Sequence, residues 1–178
     1  MEKVNFQQIL ERYRQGERMF QKLCFVEVDG FESDLQSGDF SNSVFTAAYL
    51  PYSNFSQAIL RRTLLKGSEL GDAKFFSADL SEANLQGGCL ARVNLRQACL
   101  RGANLTNTDL SGADLRGTDL TNADLSGAKL IRANLTDAVL SGSCLFGANF
   151  FRAAGVDFTE ALCDGNTIFP DGHRGANA

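Results

Sequence analysis

From Leu35 to Phe150 every fifth residue is Leu or Phe, 24 times without a miss. Phenylalanine stands in at Phe40, Phe45, Phe55, Phe75 and Phe150, so the slot is always bulky and apolar. Two residues earlier the chain is Ala, Ser, Gly or Thr at 23 of the 24 places, with Val93 the exception. A period of five belongs to neither regular element. On a helix, at about 100° per residue, each leucine would advance by about 140° and the row would smear around the cylinder. On an unbroken strand an odd step turns the side chain to the opposite face. A short extended piece followed by a turn, repeated, satisfies the beat. Within the extended piece the small and the bulky residue are two apart and both point inward, while the Asp or Asn so often between them points outward. The pair that follows, such as Ser111-Gly112 or Arg116-Gly117, suits turn geometries that include positive φ. A single unit cannot bury its leucine alone, so the units must stack as coils of a solenoid.

The unit Ala113-Asp114-Leu115-Arg116-Gly117 and its neighbours resemble the A(D/N)LXX motif of the pentapeptide repeat family. The resemblance runs from Ser33 to Phe150, roughly two-thirds of the chain, and rests on the 24 tandem copies. It implies an all-β solenoid, a right-handed quadrilateral β-helix with four pentapeptides per coil, in which residues twenty apart stack at about 4.8 Å. The segment ILERYRQGERMF and the ending Thr167-Ile168-Phe169-Pro170-Asp171-Gly172 are similar to the leader and the TLPDG terminus of cyanobacterial members. The resemblance also implies a non-enzymatic role. Some members from filamentous cyanobacteria regulate heterocyst differentiation, others inhibit DNA gyrase by mimicking DNA, and members dimerise through C-terminal coils.

Both ends leave the repeat, as the exposed edges of a β stack require covers. Phe6, Ile9, Leu10 and Tyr13 follow the spacing of an amphipathic helix, with Asn5 and Gln8 as a capping box and Gly16 as the stop. This α-helical cap plugs the first coil. Gly30 breaks the beat there and predicts a distorted first coil, and Val93 predicts a local bulge or a slightly widened coil. Downstream, Gly155 occupies a bulky slot, and the beat resumes out of phase as Val156/Phe158, Ala161/Cys163 and Asn166/Ile168. The resulting division is a helical cap over 1–19, the β-helix over 20–153, and an irregular final coil with a frayed tail from His173 over 154–178.

Composition removes several function classes. A net charge of −4 is too mild to imply direct nucleic-acid binding. No apolar stretch approaches the roughly 20 residues that span a membrane. The N-terminus MEKVNFQQILERYRQGER is no secretory signal, so the cytoplasm is the expected compartment. Five cysteines at irregular spacing without a CxxC read as free thiols. His173 is the one histidine, and no phosphate loop, nucleophile elbow or HExxH occurs, so neither a catalytic centre nor a cofactor site is expected. Asp109, Asp114, Asp119 and Asp124 fall on four different faces and cannot share a metal ion. The sequons at Asn54, Asn104 and Asn134 are by-products of the repeat.

What remains is a protein–protein interaction surface for an unidentified partner. On four faces, Arg96 and Arg116 share a row and Arg101 lies on the next, which makes them contact candidates. Tyr49 and Tyr52 form an aromatic group in outward slots beside Val44, Ile59 and Leu64. Ile131, Phe146 and Phe151 occupy outward slots at the far end, near Val139. The terminal segments are expected to cover these apolar residues; uncovered, they would form a partner surface or a C-terminal-end homodimer, the chain being otherwise a monomer. Residues 31–150 carry 12 acids and 10 bases, and this mixed field counts against the DNA-mimicking inhibitor or protector of gyrase, the alternative reading.

Overall fold

A computed structural model describes residues 1–175. The outward residue of each repeat pairs in parallel with the residue twenty positions on, from Met19 with Asp39 to Asn134 with Ala154. Steps of five from Met19 to Ala154 give 28 positions, four to a coil, so the register holds for seven coils. At ordinary strand spacing the stack rises about 34 Å. The chain is a right-handed quadrilateral β-helix. Its four sides are faces A (through Met19, Asp39, Ile59), B (Cys24, Val44, Leu64), C (Asp29, Tyr49, Glu69) and D (Asp34, Asn54, Lys74).

Four backbone bonds per repeat build the coil; Leu110, Gly112 and Asp114 bond to neighbouring coils and Ala113 closes the turn. The N–H of each bulky residue donates to the carbonyl nineteen residues on, as Leu105 does to Asp124 and Leu130 to Asn149, both at 2.7 Å. Its own carbonyl accepts from the residue three further on, as Leu110 does from Ala113 at 3.0 Å, which closes the turn. That turn needs a left-handed residue at its second free position, filled by Asn107 (φ 56°), Gly112 (φ 68°), Gly117 (φ 65°) and Asn122 (φ 57°) in four successive turns. The Asp or Asn of the repeat has a local task, since its carboxylate or amide oxygen accepts the N–H two residues on. Asp109 takes Ser111 at 2.9 Å, Asp119 takes Thr121 at 3.0 Å, and Asn104 takes Thr106 at 3.0 Å.

Inside, the bulky columns are fully buried, and each leucine contributes about 1.5–3 kcal/mol by leaving water. Where the small residue is Ser or Thr, its hydroxyl donates to a backbone carbonyl, within its own coil at Ser53 and Ser143 and to the coil below at others. Thr63 donates to Phe40 at 3.1 Å, Ser68 to Phe45 at 2.8 Å, and Thr118 to Leu95 at 2.8 Å. No buried side-chain polar atom among the described residues lacks a partner. Val93 produces no bulge. It is fully buried, and Asn94 keeps its bridges to Lys74 and Asp114.

The N-terminal cover begins with a strand that hydrophobic periodicity does not announce. β1 (Glu2–Asn5) pairs in parallel with β2 (Leu23–Val26), Val4 opposite Phe25, and closes the lower edge of face B. α1 (Phe6–Arg14) follows, with the Asn5 side chain accepting the Gln7 N–H and Phe6, Ile9 and Tyr13 buried. The distortion of the first coil is confined to the turn before Gly30, where the Asp29 N–H donates to the Glu27 carbonyl at 3.0 Å; Gly30 itself keeps the 2.8 Å bond from its N–H to the Tyr49 carbonyl. The missing side chain is a socket. A Cβ at Gly30 would lie 2.7 Å from the Phe6 ring and 2.5 Å from Leu50 Cδ2, and one at Gly38 would lie 3.1 Å from the Tyr13 ring. The helix thus supplies the bulky residue that the beat omits, seated edge-on against Phe25 and Phe45.

At the other end Gly155 (φ 67°) lies so near the Thr136 backbone that a Cβ would approach its Cα to 2.6 Å. Beyond it the register shortens to eighteen at Cys144–Leu162 and nineteen at Asn149–Ile168. Ala161/Cys163 keep the expected pairing, but the last pair is Thr167/Phe169, not Asn166/Ile168. Ile168 is the bridge residue and Thr167 is buried with its hydroxyl on the Leu145 carbonyl. The expected fray from His173 does not begin there. Phe169 N–H donates to the His173 carbonyl, and Ile168 pairs antiparallel with Arg174. The final residues, 176–178, lie outside the described part.

Gly30→Leu should destabilise the chain by about 2 kcal/mol through overpacking. Phe6→Ala should cost about 3–5 kcal/mol. In denaturant titrations the double variant should fall short of the sum by more than about 1 kcal/mol, because the new leucine fills the vacated socket.

Candidate functional site

The lateral faces of the rod neutralise their own charge. Arg61 pairs with Asp79 at 3.1 Å, Arg62 with Glu82 at 2.8 Å, Arg92 with Asp72 at 2.5 Å, Arg101 with Asp119 at 3.2 Å and Arg116 with Asp114 at 2.6 Å. Four of these link neighbouring coils, eighteen or twenty residues apart, and Arg116 reaches within its own repeat. Hydrogen bonds from Arg116 hold the Asp114 carboxyl below its usual range, and Arg92 does the same for Asp72. At Asp119 burial pushes the carboxyl up, but bonds from Thr121 and Arg101 outweigh it and leave it low.

The arginine candidates are therefore engaged on the rod itself. Arg101 and Arg116 sit in the pairs above, and Arg96 lies over the Phe76 ring at 5.9 Å, one coil below. Arg96 and Arg116 both act on the Asp114 carboxylate, while Arg101 is paired with Asp119. Asp109, Asp114, Asp119 and Asp124 diverge onto faces C, D, A and B, and no metal-binding group of three or more His, Cys, Asp or Glu occurs among the described residues. His173 contacts Asp171 and stacks on Phe169 at 4.9 Å, an exposed pair at the last turn.

The apolar outward slots are where expectation fails. The caps cover the ends of the core, not the sides of the rod. Tyr49 is 44% exposed, Tyr52 52%, Leu64 43%, Phe146 46% and Phe151 37%. Ile59 and Val139 are exposed as well, while Val44 and Ile131 are half-buried. At the C-terminal end Phe158 packs on Phe150 and Phe169 across the core, and Leu162 stays exposed.

Tyr49 and Tyr52 meet a residue that sequence reasoning passed over. Phe31, 49% exposed, lies 5.6 Å edge-on from Tyr52, and Tyr49 stacks directly above Asp29. Extending the beat one repeat below Leu35, to Gly30, puts Phe31 in the turn slot shared with Pro51, and that was the available signal. This corner of faces C and D borders a groove of about 670 Å³ between α1 and the first coil. Leu10, Tyr13 and Arg14 line the helix side, and Asp29, Phe31, Glu32 and Asp34 the coil side.

Fold and surface together define a repeat solenoid. The family description "Pentapeptide repeats" matches in 8 copies, over residues 31–67, 58–97, 88–127, 98–137 and 113–150, and the chain belongs to the pentapeptide repeat family. It is similar to HetL, a pentapeptide repeat protein involved in heterocyst differentiation regulation from the cyanobacterium Nostoc sp. strain PCC 7120. Identity is 29% over 97% of this chain and 100% of that one, with a TM-score of 0.37. It is also similar to alr5209, a pentapeptide repeat protein from Nostoc PCC 7120, at 40% identity over 57% of this chain and 73% of that one, TM-score 0.45. A trypsin-treated form of QnrB1, a plasmid-mediated fluoroquinolone resistance protein, shares the fold. There identity is 15% over 92% of this chain and 87% of that one, with a TM-score of 0.55. No curated protein matches significantly. No described helix is long and apolar enough to cross a membrane.

The carboxylates held low by Arg92 and Arg116 stabilise the fold above their unfolded values of about 3.9, and that contribution is lost as pH falls through the lower folded values. The melting temperature should therefore stay level from about pH 7 to pH 5 and drop below about pH 4. Arg116→Ala should alter stability at neutral pH by less than about 0.5 kcal/mol, since the pair is exposed, and should make the acid limb shallower.

Proposed function

We propose that this chain is a non-enzymatic scaffold that binds another protein through a lateral face, in a regulatory role and in the cytoplasm. The observation that supports it best is the group Phe31, Tyr49 and Tyr52, three large aromatics left in solvent on the first two coils, with Phe31 and Tyr52 in edge-on contact. Monomers seldom leave contiguous aromatic surface uncovered unless a partner takes it up, and tyrosine is enriched where partners bind most strongly. The charges at Arg96, Arg101 and Arg116 then serve as rim contacts, which steer a partner more than they hold it. Ile131, Phe146 and Phe151 offer a second surface, suited to another copy of the chain at the C-terminal end.

The alternative, a DNA-mimicking inhibitor or protector of gyrase, needs long rows of uncompensated acid. Asp72, Asp79, Glu82, Asp114 and Asp119 each carry an arginine partner instead, which flattens the field such a mimic relies on.

Affinity capture from the native lysate tests the reading. Tyr49→Ser/Tyr52→Ser should lose the captured protein, Phe146→Ser/Phe151→Ser should keep it, and gyrase supercoiling should proceed undisturbed by the purified chain. Blocked supercoiling would transfer the assignment to the mimic. Capture of nothing specific by wild type would end the scaffold reading.

A further inference from the structure

Between Lys22 and Arg61 the chain has no Lys, Arg or His, yet it carries five acids, Glu27, Asp29, Glu32, Asp34 and Asp39. This stretch is the first two coils, the part that presents Phe31, Tyr49 and Tyr52. Higher on the rod Asp72, Asp79, Glu82, Asp114 and Asp119 are each answered by an arginine of their own or an adjacent coil, and the acids without an ion pair, Glu69, Asp109, Asp124 and Asp137, are spread along a stretch that also carries ten bases. Here Asp29, Glu32 and Asp34 have no ion-pair partner among the described residues. Asp34 receives the Gln36 N–H at 3.3 Å and the Asn54 amide at 3.1 Å, both on Oδ1, leaving Oδ2 without a hydrogen bond. All three carboxylates line the coil side of the groove beside Phe31.

The helix side of the groove carries the opposing charges. Arg18 is already committed: its guanidinium lies 3.8 Å over the Tyr13 ring and donates to the Tyr13 and Glu17 carbonyls at 2.8 Å. Arg14 is the one other cation on that wall, against three carboxylates facing it.

We propose that the exposed aromatic corner formed by Phe31, Tyr49 and Tyr52 docks an arginine-bearing, extended segment of a partner protein, with Asp29, Glu32 and Asp34 receiving its guanidinium groups. The chemistry selects arginine over other side chains. A guanidinium can lie flat on a phenyl or phenol ring while its edge forms two parallel bonds to a carboxylate, and an ammonium cannot do both. The unmatched acids exclude nucleic acid and acidic peptides from the same corner by like-charge repulsion. This inference rests on the scaffold reading above and names the chemistry of its partner.

The probe is a fluorescein-labelled peptide of alternating arginine and glycine, titrated against the full chain by anisotropy at about 0.15 M salt, with lysine and glutamate counterparts beside it. The arginine peptide should bind, the lysine peptide several-fold more weakly, and the glutamate peptide not at all. Asp29→Lys/Glu32→Lys and Phe31→Ser/Tyr52→Ser should each weaken binding about tenfold or more, with melting curves like wild type because all four residues are exposed. Asp137→Lys/Glu160→Lys changes net charge equally at the far end and should stay within about twofold. Absence of arginine-peptide binding, equal binding of the glutamate peptide, or equal weakening by the far-end variant would overturn the proposal. If the captured partner is lost with Tyr49→Ser/Tyr52→Ser yet kept with Asp29→Lys/Glu32→Lys, the arginine inference falls and the scaffold reading stands.

Discussion

The bond from each inward residue's N–H to the carbonyl nineteen positions on ties every coil to the next, and the rest of the structure inherits its register. Because the side-chain direction alternates along each short extended piece, a slip of one residue would expose a leucine and bury an aspartate. Seven coils hold the register without insertion or deletion. Where it finally shortens, after Gly155, the rod ends within twenty residues and the chain folds back antiparallel on itself at Ile168 and Arg174. Solenoid and terminus are two consequences of one constraint.

That regularity divides labour between inside and outside. The interior is set by the columns of Leu and Phe, the small residues beside them, and hydroxyls that satisfy backbone carbonyls. The exterior has no such demand, and its ion pairs between coils mostly cancel. A surface of this kind offers a partner little to distinguish one coil from another. Distinction comes from irregular slots, and the first two coils concentrate them. Gly30 and Gly38 make room for Phe6 and Tyr13, the helix stands off the C/D corner to leave a groove, and Phe31, Tyr49 and Tyr52 remain in solvent. The cap thus shapes the candidate surface while sealing the core.

Much of this was legible without coordinates, and the exceptions share a cause. The inward slots from Leu35 to Phe150, the helix stripe of Phe6, Ile9 and Tyr13, and the divergence of the four aspartates follow from local spacing. Gly30 read as damage to the beat because the ring that fills its place comes from 24 residues earlier in the chain. The β1 strand went unseen because four residues EKVN carry no apolar alternation, and they are ordered only by the open edge of β2. The same limit applies to the outward apolar residues: spacing put Tyr49 and Phe146 outside, but whether a terminal segment lies over them depends on where the caps pack.

The amino-acid sequence by itself determined that the chain is a stacked pentapeptide rod, which residues face in, where turns fall and that the ends differ. These are properties of a five-residue unit, decided by side-chain alternation and turn stereochemistry within that unit. Tertiary structure alone decided that Phe6 completes the first coil, that arginines on one coil neutralise acids on another, and that Asp29, Glu32 and Asp34 stand unmatched beside three exposed rings. Each of those facts joins residues about twenty positions apart, and such neighbours exist only once the coils have stacked.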